Sequence, residues 1–377
     1  MSFGSGAMTN SISEIKDCKL IFLIGGNPTE AHPIVALEMK KALRKGCTFI
    51  VADPRRIWFA QHAKLYLPVR PGSDNWLLNA MAHVIIAEGL ENKEFIKTRT
   101  ESYEELKEFL KDITPEKASE FTGIPAEDIR QAARLYAKSE KSAIYYTLGI
   151  TEHTCGTDNV RTIANLALLT GHIGKPSTGV NPIRGQNNVQ GATDVCIPNK
   201  MPGYQDVTDN VVMEKFEKAW GVKLSRTPGA TAPTMFERMG KNQFKALYVI
   251  GEDPVISEPN QDYTLKGMKN LEFLVVQDIF MSETAKYADV ILPAASFAEK
   301  DGTFTNTERR VQRVRKAINP IGNSKPDWQI ICELSNVMGY KMNYPSPKEV
   351  YDEIASLVPI FAGINYARIE HNGIQWP

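Results

Sequence analysis

The chain has 377 residues, 42% hydrophobic and 23% charged, the proportions of an ordinary globular protein with room for two domains. Lys plus Arg and Asp plus Glu number 44 each, which excludes the strongly basic surface of a nucleic-acid or anionic-membrane binder. No apolar run approaches the roughly 20 residues of a membrane-spanning helix, and no charged leader with an apolar core opens the chain, so the expectation is a cytoplasmic protein without membrane insertion.

In chain order, residues 1–18 are rich in Gly and Ser and carry a weak helical pattern. The run Leu20-Ile21-Phe22-Leu23-Ile24 reads as a strand, closed by the turn Gly25-Gly26-Asn27-Pro28. A helix is expected over 34–44, ended by Gly46. A second strand over 48–52 runs into Asp53, and a third over 65–67 runs into Pro68. The turn Pro71-Gly72-Ser73-Asp74 caps a helix running toward Gly89. The charged stretch 91–120 reads as short amphipathic helices on the outside. Pro125 opens a further helix, with Ile129, Ala132, Ala133 and Tyr136 on one buried stripe. A strand over 143–146 leads into Thr147-Leu148-Gly149, and a helix over 157–170 stops at Gly171. Across 174–208 Gly, Asn, Gln and Pro dominate and periodicity is lost, which reads as a long functional loop. Strand-like runs return between 246 and 304, an extended segment covers 303–310, and helices are expected over 327–338 and 348–355.

The chain repeats itself. The second copy is Ala246-Leu247-Tyr248-Val249-Ile250, closed by Gly251-Glu252-Asp253-Pro254, then Phe273-Leu274-Val275-Val276-Gln277-Asp278 and Val290-Ile291-Leu292-Pro293. The interval from acid to proline is 15 residues in both, from Asp53 to Pro68 and from Asp278 to Pro293. Strand, turn, helix, strand, with a carboxylate ending the second strand, is the layout of a nucleotide-binding half. The expected fold is therefore α/β with mainly parallel sheets in two dinucleotide-binding-like domains, over 1–185 and 186–377. Neither turn is G-x-G-x-x-G, which weakens a nicotinamide or flavin reading. Gly25 and Gly251 allow close backbone approach, and the helix starts behind them offer N–H groups to a pyrophosphate. Asp53 and Asp278 can accept from ribose hydroxyls or from the N1–H and amine of a guanine. A single such acid is more often a turn residue; the repeat favours the ligand role.

Within the long loop, Arg184-Gly185-Gln186-Asn187-Asn188-Val189-Gln190-Gly191 sets four carboxamides beside one arginine. Amides suit the edge of a pterin or purine, and a guanidinium suits a carboxylate; a solvated loop explains the same composition. The five cysteines and six histidines show no metal-ligand spacing, so no protein metal site is expected. Cys18 and Cys47 read as small core residues, and His32 as a weak candidate for a phosphate contact.

These segments, with Gly4-Ser5-Gly6-Ala7-Met8-Thr9-Asn10, Ala52-Asp53-Pro54-Arg55 and Asp301-Gly302-Thr303-Phe304-Thr305-Asn306, resemble the catalytic subunit of formate dehydrogenase, a molybdopterin oxidoreductase. The resemblance runs over essentially the whole chain. It implies two pyranopterin guanine dinucleotides around one Mo or W, with Asn27, Asp53, Pro54, Arg55 and Gly72 at one tail and Gly251, Asp253, Gln277 and Asp278 at the other. Gly25, Leu148, Gly149, Gln186 and Asn187 would also approach the cofactor, and Arg184 would position formate for oxidation to carbon dioxide. It further implies an electron-transfer subunit or acceptor protein. The family's N-terminal iron–sulfur domain, the Cys or selenocysteine metal ligand and the C-terminal β-barrel are absent, so a central fragment, inactive alone, is expected. A relative such as a nitrate reductase, or a structural module like the large iron–sulfur subunit of complex I, stays open as an alternative.

Overall fold

The computed structural model describes residue 3 and residues 6–377. Gly4 and Ser5, which belong to the first segment of the resemblance, lie outside the described residues. Contacts divide the chain into two compact units, residues 1–190 with 306–309, and residues 191–305 with 310–377.

The first unit is built on five parallel strands, β1 (Leu20–Ile24), β2 (Thr48–Ala52), β3 (Leu65–Leu67), β4 (Ser142–Tyr146) and β5 (Gly179–Pro182), ordered β3-β2-β1-β4-β5. Every residue of β1 is buried, which explains its unbroken apolar run: a parallel sheet is covered on both faces. Ile21 and Leu23 face Val35, Ala36, Met39 and Ala42 of the helix Pro33–Arg44. Leu20, Phe22 and Ile24 face helices Asp74–Ala87, Ala126–Lys138 and Gly156–Thr170. The stripe Ile129, Ala132, Ala133 and Tyr136 is buried, as is Cys18 with Cys47. Gly171, at φ +65°, ends the helix before it in the left-handed region that a Cβ disfavours.

The stretch 174–208 is not a continuous loop. It contains β5, a helix (Val189–Val195) and a hairpin of β6 (Lys200–Met201) and β7 (Gln205–Asp206). Gly179-Val180-Asn181-Pro182 has little strand propensity, but long-range hydrogen bonds hold it. Thr9 N–H donates to the Val180 carbonyl at 3.1 Å, and Val180 N–H returns to Thr9 Oγ1 at 3.0 Å. Tertiary pairing overrides local propensity here.

In the second unit β8 (Ala246–Ile250), β9 (Phe273–Asp278) and β10 (Val290–Pro293) form a parallel sheet ordered β10-β9-β8. Val249, Leu274 and Val276 pack on Phe236, Met239 and Met268 from helices Ala232–Gly240 and Gln261–Lys269. The extended segment near 303–310 is two strands, β11 (Gly302–Thr305) and β12 (Arg310–Val314), which form an antiparallel sheet with β13 (Ile374–Gln375). Helices Asp327–Val337 and Pro347–Leu357 follow the expected positions. The two units are Rossmann-like pseudo-repeats. No helix among the described residues is long and apolar enough to cross a membrane.

Candidate functional site

Because the five strands of the first unit run parallel, their carboxyl ends share one edge, where open α/β sheets bind ligands. The turns after β1 and β4 meet there. Gly149 N–H donates to the Gly25 carbonyl at 3.1 Å, and Thr147 Oγ1 donates to the same oxygen at 2.7 Å. A Cβ on Gly149 would lie 2.7 Å from that oxygen, and one on Gly25, itself at φ +58°, would lie 2.8 Å from the Gly149 carbonyl carbon. Both positions therefore require glycine.

These turns wall a cleft of about 370 Å³, within the range of roughly 300–1,000 Å³ typical of small-molecule sites. Gly25, Asn27, Asp53, Pro54, Arg55, Leu148 and Gly149, all expected at a ligand, line it together. Asp53 is buried, and its Oδ1 accepts from Arg55 N–H at 2.8 Å. Burial pushes its carboxyl up, against the opposing effect of that N–H and of the Arg55 guanidinium. Asn27 Oδ1 accepts from Thr29 Oγ1 at 2.6 Å, which fixes its amide at the cleft wall.

Further polar side chains that were not expected at a ligand also line the cleft, namely Glu30, Asp74, Thr147 and His153. Asp74 is 3% exposed; burial pushes its carboxyl up, and the Asp53 charge adds to this while His153 opposes it. His153 Nε2 lies 3.9 Å from Asp74 Oδ2 and 3.0 Å from the Gly149 carbonyl, which it reaches only as a donor. The acid was visible as a turn residue after Gly72, but its burial comes from packing of the helix it begins. Gly72 does not line the cleft; it is exposed at φ +84°, between the lining residues Pro71 and Asp74.

The helix start expected behind Gly25 is broken. Pro28–Ala31 is a single turn whose first residue lacks an N–H, and the long helix begins only at Pro33. Pro33 pushes His32 out of the helical region, at φ −140° and ψ 63°. His32 lies outside the cleft lining.

Arg184 follows β5. Its backbone N–H donates to Thr307 Oγ1 at 3.0 Å, and that hydroxyl donates to the Pro182 carbonyl at 3.1 Å. Its Nη2 donates to the Gly6 carbonyl at 2.7 Å, while its Nε is buried without a partner among the described residues. Gln186 and Asn187 are exposed in the next turn.

In the second unit Gly251 takes φ +62° after β8, matching Gly25 after β1. Burial would raise the Asp253 carboxyl, but donors hold it below the ordinary range: Thr284 Oγ1 at 2.6 Å, Thr284 N–H at 2.9 Å and Glu283 N–H at 3.0 Å. Asp253 thus braces its turn. Gln277 is fully buried, accepting from the Tyr248 hydroxyl and donating to Asp327 Oδ1 at 2.7 Å. Asp278 Oδ1 accepts from the N–H groups of Ile279 at 2.6 Å and Phe280 at 3.2 Å. Among the described residues no group of three or more His, Cys, Asp or Glu side chains is arranged to hold a metal ion.

Comparison with known families gives a match to the model described as molybdopterin oxidoreductase over residues 2–337. The chain belongs to the molybdopterin oxidoreductase family. It is 50% identical over 378 residues to the F420-dependent formate dehydrogenase subunit alpha of Methanocaldococcus jannaschii, covering 100% of this chain and 56% of that protein. It is 45% identical over 379 residues to formate dehydrogenase H of Escherichia coli, covering 100% of this chain and 53% of that protein. The chain therefore spans about half the length of these relatives. Among solved structures, acetylene hydratase from Pelobacter acetylenicus superposes with a TM-score of 0.78 at 24% identity, over 99% of this chain and 54% of that one, a likeness of fold.

A molybdopterin-type cofactor is the family's ligand, and two features of the first-unit cleft are compatible with a polar ligand. The glycine contact leaves backbone, with no side chain, at the cleft wall, and two buried acids, Asp53 and Asp74, line the same cleft as polar groups within reach of a ligand.

Proposed function

We propose that the chain is the cofactor-binding core of a formate dehydrogenase that oxidises formate to carbon dioxide at a Mo or W bis-molybdopterin guanine dinucleotide centre in the cytoplasm. The observation that carries this reading is the first-unit cleft, in which Gly25, Asp53 and Gly149 meet in a chain half identical to a formate dehydrogenase alpha subunit.

In this reading Asn27, Asp53, Pro54, Arg55 and Gly72 hold one guanine dinucleotide tail, with Asp53 accepting from the base or ribose. Gly251, Asp253, Gln277 and Asp278 form the wall for the other, with Asp253 and the buried Gln277 keeping the Gly251 turn and the end of β9 in shape. Leu148, Gly149, Gln186 and Asn187 approach the pterins. Arg184 holds the formate carboxylate through its planar fork. The bound group supplies the two-electron redox chemistry, and the protein supplies orientation and charge. The electrons leave to an electron-transfer subunit or acceptor protein.

The complete, metal-loaded protein carrying this sequence is expected to reduce a dye with formate, and the isolated chain is expected not to. Nitrate reduction without formate oxidation would replace this reading with the nitrate reductase alternative. Absence of both activities, with no metal bound, would favour the structural module.

Guanosine diphosphate binding to the chain is expected to weaken as pH falls. A base or ribose donor needs an ionised Asp53, and burial raises that carboxyl. Affinity should therefore begin to drop at a higher pH than for an ordinary aspartate, approaching about tenfold per pH unit for one proton. Calorimetric titrations across pH check this, and Asp53→Asn should remove the slope.

A further inference from the structure

β5 is the last strand of its sheet among the described residues, so β4 pairs one of its edges and no strand pairs the other. The Ile183 N–H donates to the Tyr146 carbonyl at 2.9 Å, which carries the pairing one residue past β5. Successive residues of an extended chain turn their backbone groups to opposite sides, so the Pro182 carbonyl and the Arg184 N–H both face the outer edge. The Thr307 hydroxyl stands there in place of a partner strand. It accepts from the Arg184 N–H at 3.0 Å and donates to the Pro182 carbonyl at 3.1 Å. One side chain, 123 residues from Arg184 along the chain, satisfies both groups.

The turn that carries Thr307 is anchored independently of this contact. Residues 306–309 belong to the first unit. The buried Glu308 accepts from the Ile12 N–H at 2.6 Å through Oε2, and the Arg309 guanidinium donates to the Met8 carbonyl. Arg309 takes φ +69°, a left-handed conformation that a residue with a Cβ keeps only where surrounding contacts enforce it. Loss of the Thr307 hydroxyl would therefore leave the turn docked and release only the backbone of 182–184. That backbone sets the direction in which the Arg184 Cβ leaves the chain. The far end of the side chain is tied separately, by Nη2 donating to the Gly6 carbonyl at 2.7 Å.

We propose that Thr307 is a positioning residue for the reaction: through the backbone of 182–184 it sets the angle at which Arg184 presents its guanidinium to the substrate carboxylate. This rests on the reading of Arg184 as the group that holds formate. Thr307 acts through Arg184 alone and touches neither substrate nor cofactor. A planar fork recognises a carboxylate by angle as well as by charge, so a small rotation at its root costs orientation.

The test compares Thr307→Val, which keeps the branched shape and removes the hydroxyl, with Thr307→Ser, which keeps the hydroxyl. In the complete, metal-loaded protein Thr307→Val is expected to lose about tenfold in kcat/KM for formate, part of the roughly 100-fold that a full 1 Å misplacement costs. Its metal and nucleotide content should match wild type, and Thr307→Ser should return to within about twofold of the wild-type rate. Added to Arg184→Lys, Thr307→Val should cost less than about a further twofold, because it acts through the group already replaced. A residue that only holds the fold would lower the denaturation midpoint and the metal content and leave the rate per metal unchanged, which would overturn the proposal. Losses that multiply in the double variant would overturn it too. A slow Arg184→Lys beside a wild-type Thr307→Val overturns the proposal alone, whereas a wild-type rate in Arg184→Lys overturns the reading of Arg184 and the proposal with it. Should Thr307→Val not load metal, amide exchange in the chain alone decides. Protection lost at Arg184 and kept at Ile183 supports the proposal, and unchanged protection at Arg184 overturns it.

Discussion

Arg184→Lys in the complete, metal-loaded enzyme is expected to keep cofactor content and to lose on the order of 100-fold or more in kcat/KM for formate. Lysine keeps the charge but not the planar fork that fixes a carboxylate in one orientation. The turn around Arg184 is braced for such a role: Thr307 links its backbone N–H to the Pro182 carbonyl, and Nη2 is anchored on Gly6. A merely structural arginine would tolerate lysine with little change in rate. Steady-state kinetics normalised to metal content separates the two, and near wild-type efficiency would remove Arg184 from the substrate site.

Gly149→Ala is expected to have the second-largest effect. Its Cβ would meet the Gly25 carbonyl oxygen at 2.7 Å and the Gly25 Cα at 2.8 Å, both backbone atoms of the facing turn. Neither can swing aside as the end of a flexible side chain would. Overpacking of this kind costs about 1–3 kcal/mol, and the relief available is to part the two turns that wall the cleft. Chemical denaturation should show the loss, and guanosine diphosphate affinity should fall about tenfold or more with it, the equivalent of roughly 1.4 kcal/mol. Alanine at Gly302, whose Cβ would meet nothing within 4 Å and which, like Gly149, does not take a positive φ, controls for the general cost of replacing glycine by alanine. Wild-type stability and affinity in Gly149→Ala would show that the turns do not depend on their close contact.

Much of this fold is legible in the sequence because parallel strands write themselves as unbroken apolar runs, each ended by a turn or an acid. That is why β1, β2 and β4, buried on both faces, stand out, and why β8 and β9, which carry the same runs although Ile250 and Phe273 are exposed, make the repeat visible. β5 is not legible, since Gly179 and Pro182 argue against a strand; its register comes from Thr9, 171 residues away from Val180. Of the cleft, Gly25, Asn27, Asp53 and Gly149 follow from turns at strand ends, whereas Asp74 becomes a lining residue through packing of the helix it begins and His153 through the turn that precedes helix Gly156–Thr170. Asp253 shows the opposite limit. The repeat marks it beside Gly251, but Glu283 and Thr284, about thirty residues on, already satisfy its carboxylate.

The central claim is that each α/β unit serves a guanine dinucleotide tail of one metal-bearing cofactor. Acid release of nucleotide from the purified complete protein, with elemental analysis of the same sample, tests it most directly. The account predicts guanine nucleotide together with Mo or W, one nucleotide for each α/β unit, and lowered nucleotide content in Asp53→Asn. A folded, metal-bearing and formate-oxidising protein that releases no guanine nucleotide would contradict it.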